Sequence, residues 1–357
     1  MDRRTLIRNA ATRKSSGGII PTYIHFADKV TEQKYADCFG MNLETFRKWL
    51  DNDIRDIFLL EDIQMRNTDE EQIAESYKYG FAIDKGWENV AYDSWGVAWT
   101  IKCLGQELRE SPITDIEQVY DYPYPDPNNP YIFHGLQKKV DAIHNEGYAV
   151  FVGQNYSLFE RAWGMTGYED FLAYCYTATE AVEFLLDKIT QNKVRIAERI
   201  CEMGTDLGHT GDDYGLQRGG VMSLDLFNSL FKPCYEKIWG VYHKHGIPVM
   251  HHSCGDCSMY LPDMIDAGLD MLHTVQQTCM DIRQIYNEFG KDLSFFASTD
   301  TVNVLETGTP DEVRSNVDYT VEHLGKNNGL VLSMINIMPN APYENVKAAI
   351  EQIKKYR

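Results

Sequence analysis

The sequence predicts an α/β fold of parallel strands, either closed as a (β/α)8 barrel or left open as a doubly wound sheet. Three observations carry that prediction. From residue 146 onward, short apolar runs alternate with amphipathic stretches. The runs are apolar at nearly every position, as strands buried on both faces must be. Each run also ends in polar residues, where parallel α/β proteins gather their chemistry.

The elements follow in chain order. Residues 19–24 and 57–60 are expected as early strands of the sheet. The loop Tyr122-Pro-Tyr-Pro-Asp-Pro-Asn-Asn-Pro130 is held extended by its prolines. Later runs cover 148–152, 206–210, 247–250, 271–275, 293–297 and 330–334. Between them, Phe227, Leu230, Phe231, Cys234, Ile238, Val241 and Tyr242 fall on one helical face. Ser223 is placed to cap that helix, Pro233 to kink it and Gly246 to end it. Thr309-Pro-Asp-Glu312 reads as a capping box, with Val313, Val317, Val321 and Leu324 as the stripe behind it. A last helix starts near Pro342. Strand–helix units in succession require parallel strands with crossovers. No glycine-rich phosphate loop follows any run, which weakens the nucleotide-binding version of the open sheet.

A chain of 357 residues, 43% hydrophobic, can build a large core without disulfides or a structural metal. Its formal charge of −19, with no basic run, excludes nucleic-acid binding. No apolar stretch approaches the ~18 residues of a membrane span. The start, Met1-Asp-Arg-Arg, lacks a secretion signal's apolar segment. The 8 cysteines are scattered, several inside helical patterns, which points to reduced thiols in the cytoplasm. Oligomerisation stays open.

The densest chemistry lies in Val249-Met-His-His-Ser-Cys-Gly-Asp-Cys257. On an extended segment His252 and Cys254 point to the same face, while His251 points away. Imidazole and thiolate suit zinc, so His252 and Cys254 are the metal candidates. A redox Cys-x-x-Cys and a core histidine beside a buried thiol are the competing readings. Asp212 and Asp213, with Gln217 close behind, are catalytic candidates, because adjacent carboxylates in a pocket separate their pKa values. Glu160, Arg161 and Trp163 follow another strand end and are substrate-binding candidates. Tyr23, His25 and Phe26 offer an aromatic rim, and Gln276 and Asn336 complete the polar strand ends.

Several segments carry a family resemblance. His252-Ser-Cys-Gly255, Gly211-Asp-Asp-Tyr-Gly-Leu-Gln217, Phe231-Lys-Pro233, Gly308-Thr-Pro-Asp-Glu-Val313 and Asn336-Ile-x-Pro-x-x-Pro-x-Glu-Asn345 resemble the uroporphyrinogen decarboxylase superfamily. Leu158-Phe-Glu-Arg-Ala-Trp163 and Asp93-Ser-Trp-Gly-Val-Ala-Trp99 resemble its less characterised branch. The resemblance implies a (β/α)8 barrel as one domain over 1–357, with inserted loops within about 1–145. It also implies one of two chemistries, cofactor-free decarboxylation of uroporphyrinogen or zinc-dependent methyl transfer involving a corrinoid protein. The decarboxylases carry an arginine-rich segment after the first strand. Thr22-Tyr-Ile-His-Phe-Ala27 has no arginine, which speaks against a polyanionic substrate.

The methyltransferases place zinc on a His-x-Cys pair and a later cysteine. His252 and Cys254 match the pair, but Ser333-Met-Ile-Asn336 holds no cysteine. A third ligand is then expected from Asp212, Glu160, Cys257 or Asp300. The expected function is methyl transfer from a small methylated compound, such as a methoxylated aromatic, to a corrinoid on a partner protein, with zinc assisting. The alternatives are a metal-free decarboxylase-like lyase and an idle barrel that binds a corrinoid or porphyrin.

Overall fold

The computed structural model describes residues 1–59, 78, 82–83, 90–100 and 107–357. Eight parallel strands form one sheet: β1 (Thr22–Phe26), β2 (Ile54–Phe58), β3 (Ala149–Gly153), β4 (Leu207–Gly211), β5 (Val249–His252), β6 (Met271–His273), β7 (Ser294–Ser298) and β8 (Leu330–Ile337). Their order is β1-β8-β7-β6-β5-β4-β3-β2, the wrap of a (β/α)8 barrel. A doubly wound sheet would instead reverse its order partway.

The wrap closes between β1 and β2 through side chains. Asn52 accepts from Ile24 N at 2.8 Å and donates to Ile24 O at 2.9 Å. Asp53 adds a backbone donor to Thr22 O at 2.9 Å and accepts from Thr22 N at 2.8 Å. Asn52→Ala leaves both Ile24 groups without these partners. It is expected to cost about 2–4 kcal/mol in urea unfolding, because unpaired buried polar groups bear the full desolvation cost. A loss below about 0.5 kcal/mol would mean the seam is closed by other means.

The sequence misplaces the first two strands by a few residues. β1 starts after Pro21 rather than at residue 19. β2 begins at Ile54, because Arg55 and Asp56 interrupt the apolar run without ending the strand. The Arg55 guanidinium stacks over the Tyr148 ring, and Asp56 accepts from Tyr23 Oη at 2.8 Å. Leu60 lies outside the described residues.

An N-terminal helix, α1 (Arg3–Ala11), closes the bottom of the barrel. Ile7, Ala10 and Ala11 pack against Ala149, Leu207, Met250, Met271 and Val331 from the strand starts. Buried Asp206 fastens it, pairing with Arg4 at 2.9 Å and Arg8 at 3.1 Å. After β2 comes a small antiparallel sheet of Ala82–Ile83, Val90–Asp93, Ala98–Thr100 and Leu108–Glu110. Its Trp95, Val97 and Trp99 share a hydrophobic cluster with Phe159, Ala162 and Met165 of α2 (Phe159–Thr166).

The helix expected from Ser223 is interrupted. A π-helical turn, Phe227–Phe231, precedes α3 (Lys232–Lys244). Pro233 brings no N–H to the ladder at that point. The Thr309–Glu312 capping box forms as predicted at the start of α4 (Pro310–Leu324). No helix among the described residues is long and apolar enough to cross a membrane.

Candidate functional site

At the carboxyl ends of the strands a cavity of about 380 Å³ opens. Its wall comprises Tyr23, His25, Asp56, Phe58, Phe151, Asn155, Tyr156, Glu160, His209, Gly211, Asp213, His252, Cys254, His273, Ile335 and Asn336. The sequence candidates it brings together are Tyr23, His25, Glu160, Asp213, His252, Cys254 and Asn336.

Alternation along β5 sends His252 inward. His251 points the other way, where Thr210 Oγ1 meets its Nδ1 at 2.8 Å. His252 lies beside Gly211 of β4 and His273 of β6. A Cβ at residue 211 would stand 3.0 Å from Asn155 Oδ1 and 3.4 Å from His252 Cβ, so glycine there spares Asn155 a tight contact. The loops after β4 and β5 touch backbone to backbone. Gly255 has φ 75°, and a Cβ on it would fall 2.3 Å from the Gly215 backbone. Asp213 Oδ1 accepts from Cys254 N at 2.7 Å, and Gln276 Oε1 accepts from Gly255 N at 2.9 Å. These contacts fix where Cys254 can stand.

His252 Nε2 lies 3.5 Å from Cys254 Sγ and 3.7 Å from Asp213 Oδ1. Ligands about 2.0–2.3 Å from a tetrahedral zinc stand roughly 3.3–3.8 Å from one another. The donor types fit as well: one imidazole, one thiol and one carboxylate. The Cys254 thiol is pushed well above its usual range, by burial first and then by Asp213 and Glu160. A divalent cation is the charge that reverses this. On the far side of His252, its Nδ1 meets His273 Nδ1 at 3.0 Å, one ring donating and the other accepting. Burial lowers the pKa of both rings, so the pair is held neutral.

Asp213 is thus the third group of a set that could hold a metal ion, one the sequence reading did not name for that role. None of the four groups expected there completes such a set among the described residues. Asp212 is spent on α2: it accepts from Leu158 N at 2.9 Å, Glu160 N at 2.8 Å and Tyr235 Oη at 2.5 Å. Burial raises its pKa to about 7. Cys257 is fully buried, and burial pushes its thiol up to about 12. Asp300 caps the turn Thr301–Leu305. Glu160 lines the cavity without joining the set.

Other candidates fall outside the wall. Asp212 faces α2 rather than the cavity, so the acid–base role considered for it has no access to a substrate there. Gln217 is exposed and donates to Thr278 O at 3.1 Å. Arg161 is buried against Asp93 at 2.5 Å, and Trp163 packs edge-on to Trp99. Phe26 packs between Tyr35 and Phe46. Gln276 lines an adjoining chamber of about 180 Å³ that shares His252, Cys254 and Asn336 with the main cavity. Sequence reasoning missed Asp56, Phe58, Phe151, Tyr156, His209 and His273 as wall residues. The available signal was a histidine inside a buried strand, two residues or fewer before its end.

A sequence model described as uroporphyrinogen decarboxylase (URO-D) matches residues 105–356, most of the chain. The chain belongs to the uroporphyrinogen decarboxylase family. A curated relative, a methylated-thiol–coenzyme M methyltransferase of Methanosarcina mazei, is 21% identical over 197 residues, 55% of this chain and 51% of that protein. The match therefore spans about half of that relative's length. A uroporphyrinogen decarboxylase of Christiangramia forsetii is 22% identical over 253 residues, 69% of this chain and 71% of the relative. A solved methyltransferase from Methanosarcina mazei superposes with a TM-score of 0.68 at 16% identity, covering 100% of this chain and 99% of that one. That likeness is one of fold. The segment where the resemblance puts a later cysteine, Ser333-Met-Ile-Asn336, holds none, and its Asn336 stands in the cavity wall.

Proposed function

We propose that this protein moves a methyl group from a small methylated compound, such as a methoxylated aromatic, to the corrinoid of a partner protein, with Asp213, His252 and Cys254 holding zinc. The observation that carries the reading is the spacing of the three donors around His252 Nε2, 3.5 and 3.7 Å. When bound, the ion supplies Lewis-acid polarisation of the heteroatom that bears the methyl group.

The chain's own residues do the rest. Tyr23, Phe58, Phe151 and Tyr156 line the cavity with aromatic surface that displaces water and fits an apolar body. The bond that breaks joins the methyl carbon to its heteroatom, whose electron pair stays behind. Glu160 suits that moment: burial, with Asp213 and Asp212, holds its carboxyl well above the usual range, so it carries a proton. Asp213 also fixes the Cys254 backbone. The same reading puts the protein in the cytoplasm, which keeps such a thiol reduced.

His273 orients His252 toward the other donors. His273→Phe keeps a ring but removes the partner of His252 Nδ1, and zinc affinity is expected to fall ~10–100-fold in chelator competition. His273→Asn offers an acceptor near the same place and is expected to recover most of the loss. Equal affinities in all three proteins would remove His273 from the site.

The function itself is tested on purified protein supplied with a reduced corrinoid protein. About one zinc per chain and demethylation of a methoxylated or thiomethylated substrate are expected. A chain that takes up no zinc and demethylates nothing under those conditions sinks the reading.

A further inference from the structure

Charge is distributed unevenly around the cavity. Among the described residues its acidic side chains all sit on the arc from β2 to β4: Asp56 on β2, Glu160 in the first turn after β3, and Asp213 after β4. The rings of Phe58, Phe151 and Tyr156 stand on the same arc. The opposite arc contributes His252, His273 and Asn336. No lysine or arginine lines this cavity among the described residues.

We propose, resting on the methyl-transfer reading, that this arc selects a substrate whose body is cationic or uncharged and turns away bodies bearing a carboxylate, sulfonate or phosphate.

The physical grounds are independent of the reacting heteroatom. Zinc on Asp213 and Cys254 as anions sums to zero formal charge, and Glu160 holds its proton, which leaves Asp56 to set the field. Two cations stand behind the arc, and neither reaches the cavity. Arg161 is ion-paired with Asp93 at 2.5 Å, behind the Tyr156 ring. Lys193 is buried, donates to Asn155 O at 3.4 Å and faces Asp212. A neighbouring chamber of about 260 Å³ shares Tyr23, His25 and Asp56 and does hold Lys29, Arg47 and Arg55. Arg47 is bonded to Glu32 at 2.5 Å, the Arg55 guanidinium lies over Tyr148, and Asp28 and Glu32 add negative charge there. His209, 3% exposed and stacked on Phe151, is kept neutral by burial, so it supplies no positive charge. The Asp56 carboxylate among ring faces attracts an ammonium by both charge and quadrupole. An anion in the same place meets repulsion without a compensating cation among the described residues.

The test uses two small alcohols of matched backbone and opposite charge, choline and 2-hydroxyethanesulfonate. Each is titrated calorimetrically into wild-type protein and into a Cys254→Ala variant. Choline is expected to bind at least ~10-fold more tightly in both, as one unscreened charge contact implies. Asp56→Asn is expected to narrow that ratio. Tighter or equal binding of the sulfonate, or no binding of either, overturns the proposal. Because the Cys254→Ala arm does not depend on zinc, the two readings fail separately. A protein that holds zinc but prefers the sulfonate keeps its methyl-transfer reading and loses this one. A protein without zinc that prefers choline does the reverse.

Discussion

Cys254→Ala protein is expected to purify folded, free of zinc and without methyl transfer. The thiol is the softest of the three donors, and Asp213 and His252 alone leave a two-point site. Zinc sites in proteins take three or four protein ligands, so affinity is expected to fall by about three orders of magnitude or more. The fold does not depend on that metal. The barrel interior toward α1 is filled by Met250, Met271 and Val331, and Phe296 packs above them against Tyr23 and His273 of the cavity wall. Thermal melting is therefore expected to shift by only a few degrees, which separates loss of metal from loss of structure. Asp213→Asn is the milder companion. Its amide oxygen still accepts from Cys254 N while the charge is gone, so an intermediate loss of affinity is expected. A Cys254→Ala chain that retains wild-type zinc and turnover would falsify the assignment.

The second large effect is a pH dependence of stability that originates at Asp212. Its carboxyl has no solvent exposure, and burial raises the pKa from 3.8 to about 7, against three hydrogen bonds that pull it down. The folded chain thus binds this proton more tightly than the unfolded chain does. The resulting stabilisation is complete below the unfolded value of 3.8 and is lost as pH rises to about 7. A shift of that size corresponds to roughly 4 kcal/mol at most. In the metal-free Cys254→Ala background, which keeps Asp212, stability from urea unfolding is expected to fall between pH 5 and pH 8. In Cys254→Ala/Asp212→Asn the fall is smaller, by about 1–3 kcal/mol. The substituted amide keeps an acceptor for the first turn of α2, so this variant is expected to fold. Parallel pH profiles in the two proteins would show that another group carries the dependence.

Much of the barrel was legible because strands buried on both faces are written as apolar runs. Six runs after residue 146 became β3 to β8, with ends shifted by three residues at most. The exceptions have local causes. Arg55 and Asp56 concealed the start of β2, since a strand beside a polar cavity carries a carboxylate inward. The plug α1 went unpredicted although Asp2 caps it and Leu6, Ile7, Ala10 and Ala11 share its buried face. Its role depends on where the barrel bottom lies, which no local pattern records. The inward face of His252 was legible from alternation, while Cys254, past the strand's end, was marked by its residue type and by the resemblance to a His-x-Cys pair. Asp212 and Asp213 were not distinguishable, because only the free N–H groups at the start of α2 decide which carboxylate is used up in capping. His209 and His273 were overlooked for the opposite reason: inside an apolar run a histidine reads as core.

The Gly215–Gly255 contact carries a consequence for rebuilding such barrels. With no space for a Cβ between them, the β4 and β5 loops behave as one transplantable part. A graft of the β5 loop alone delivers His252 and Cys254 without the carboxylate that spaces them. Moving both loops together carries the whole three-donor arrangement into a new scaffold, and drift in one loop is tolerated only when the other drifts with it.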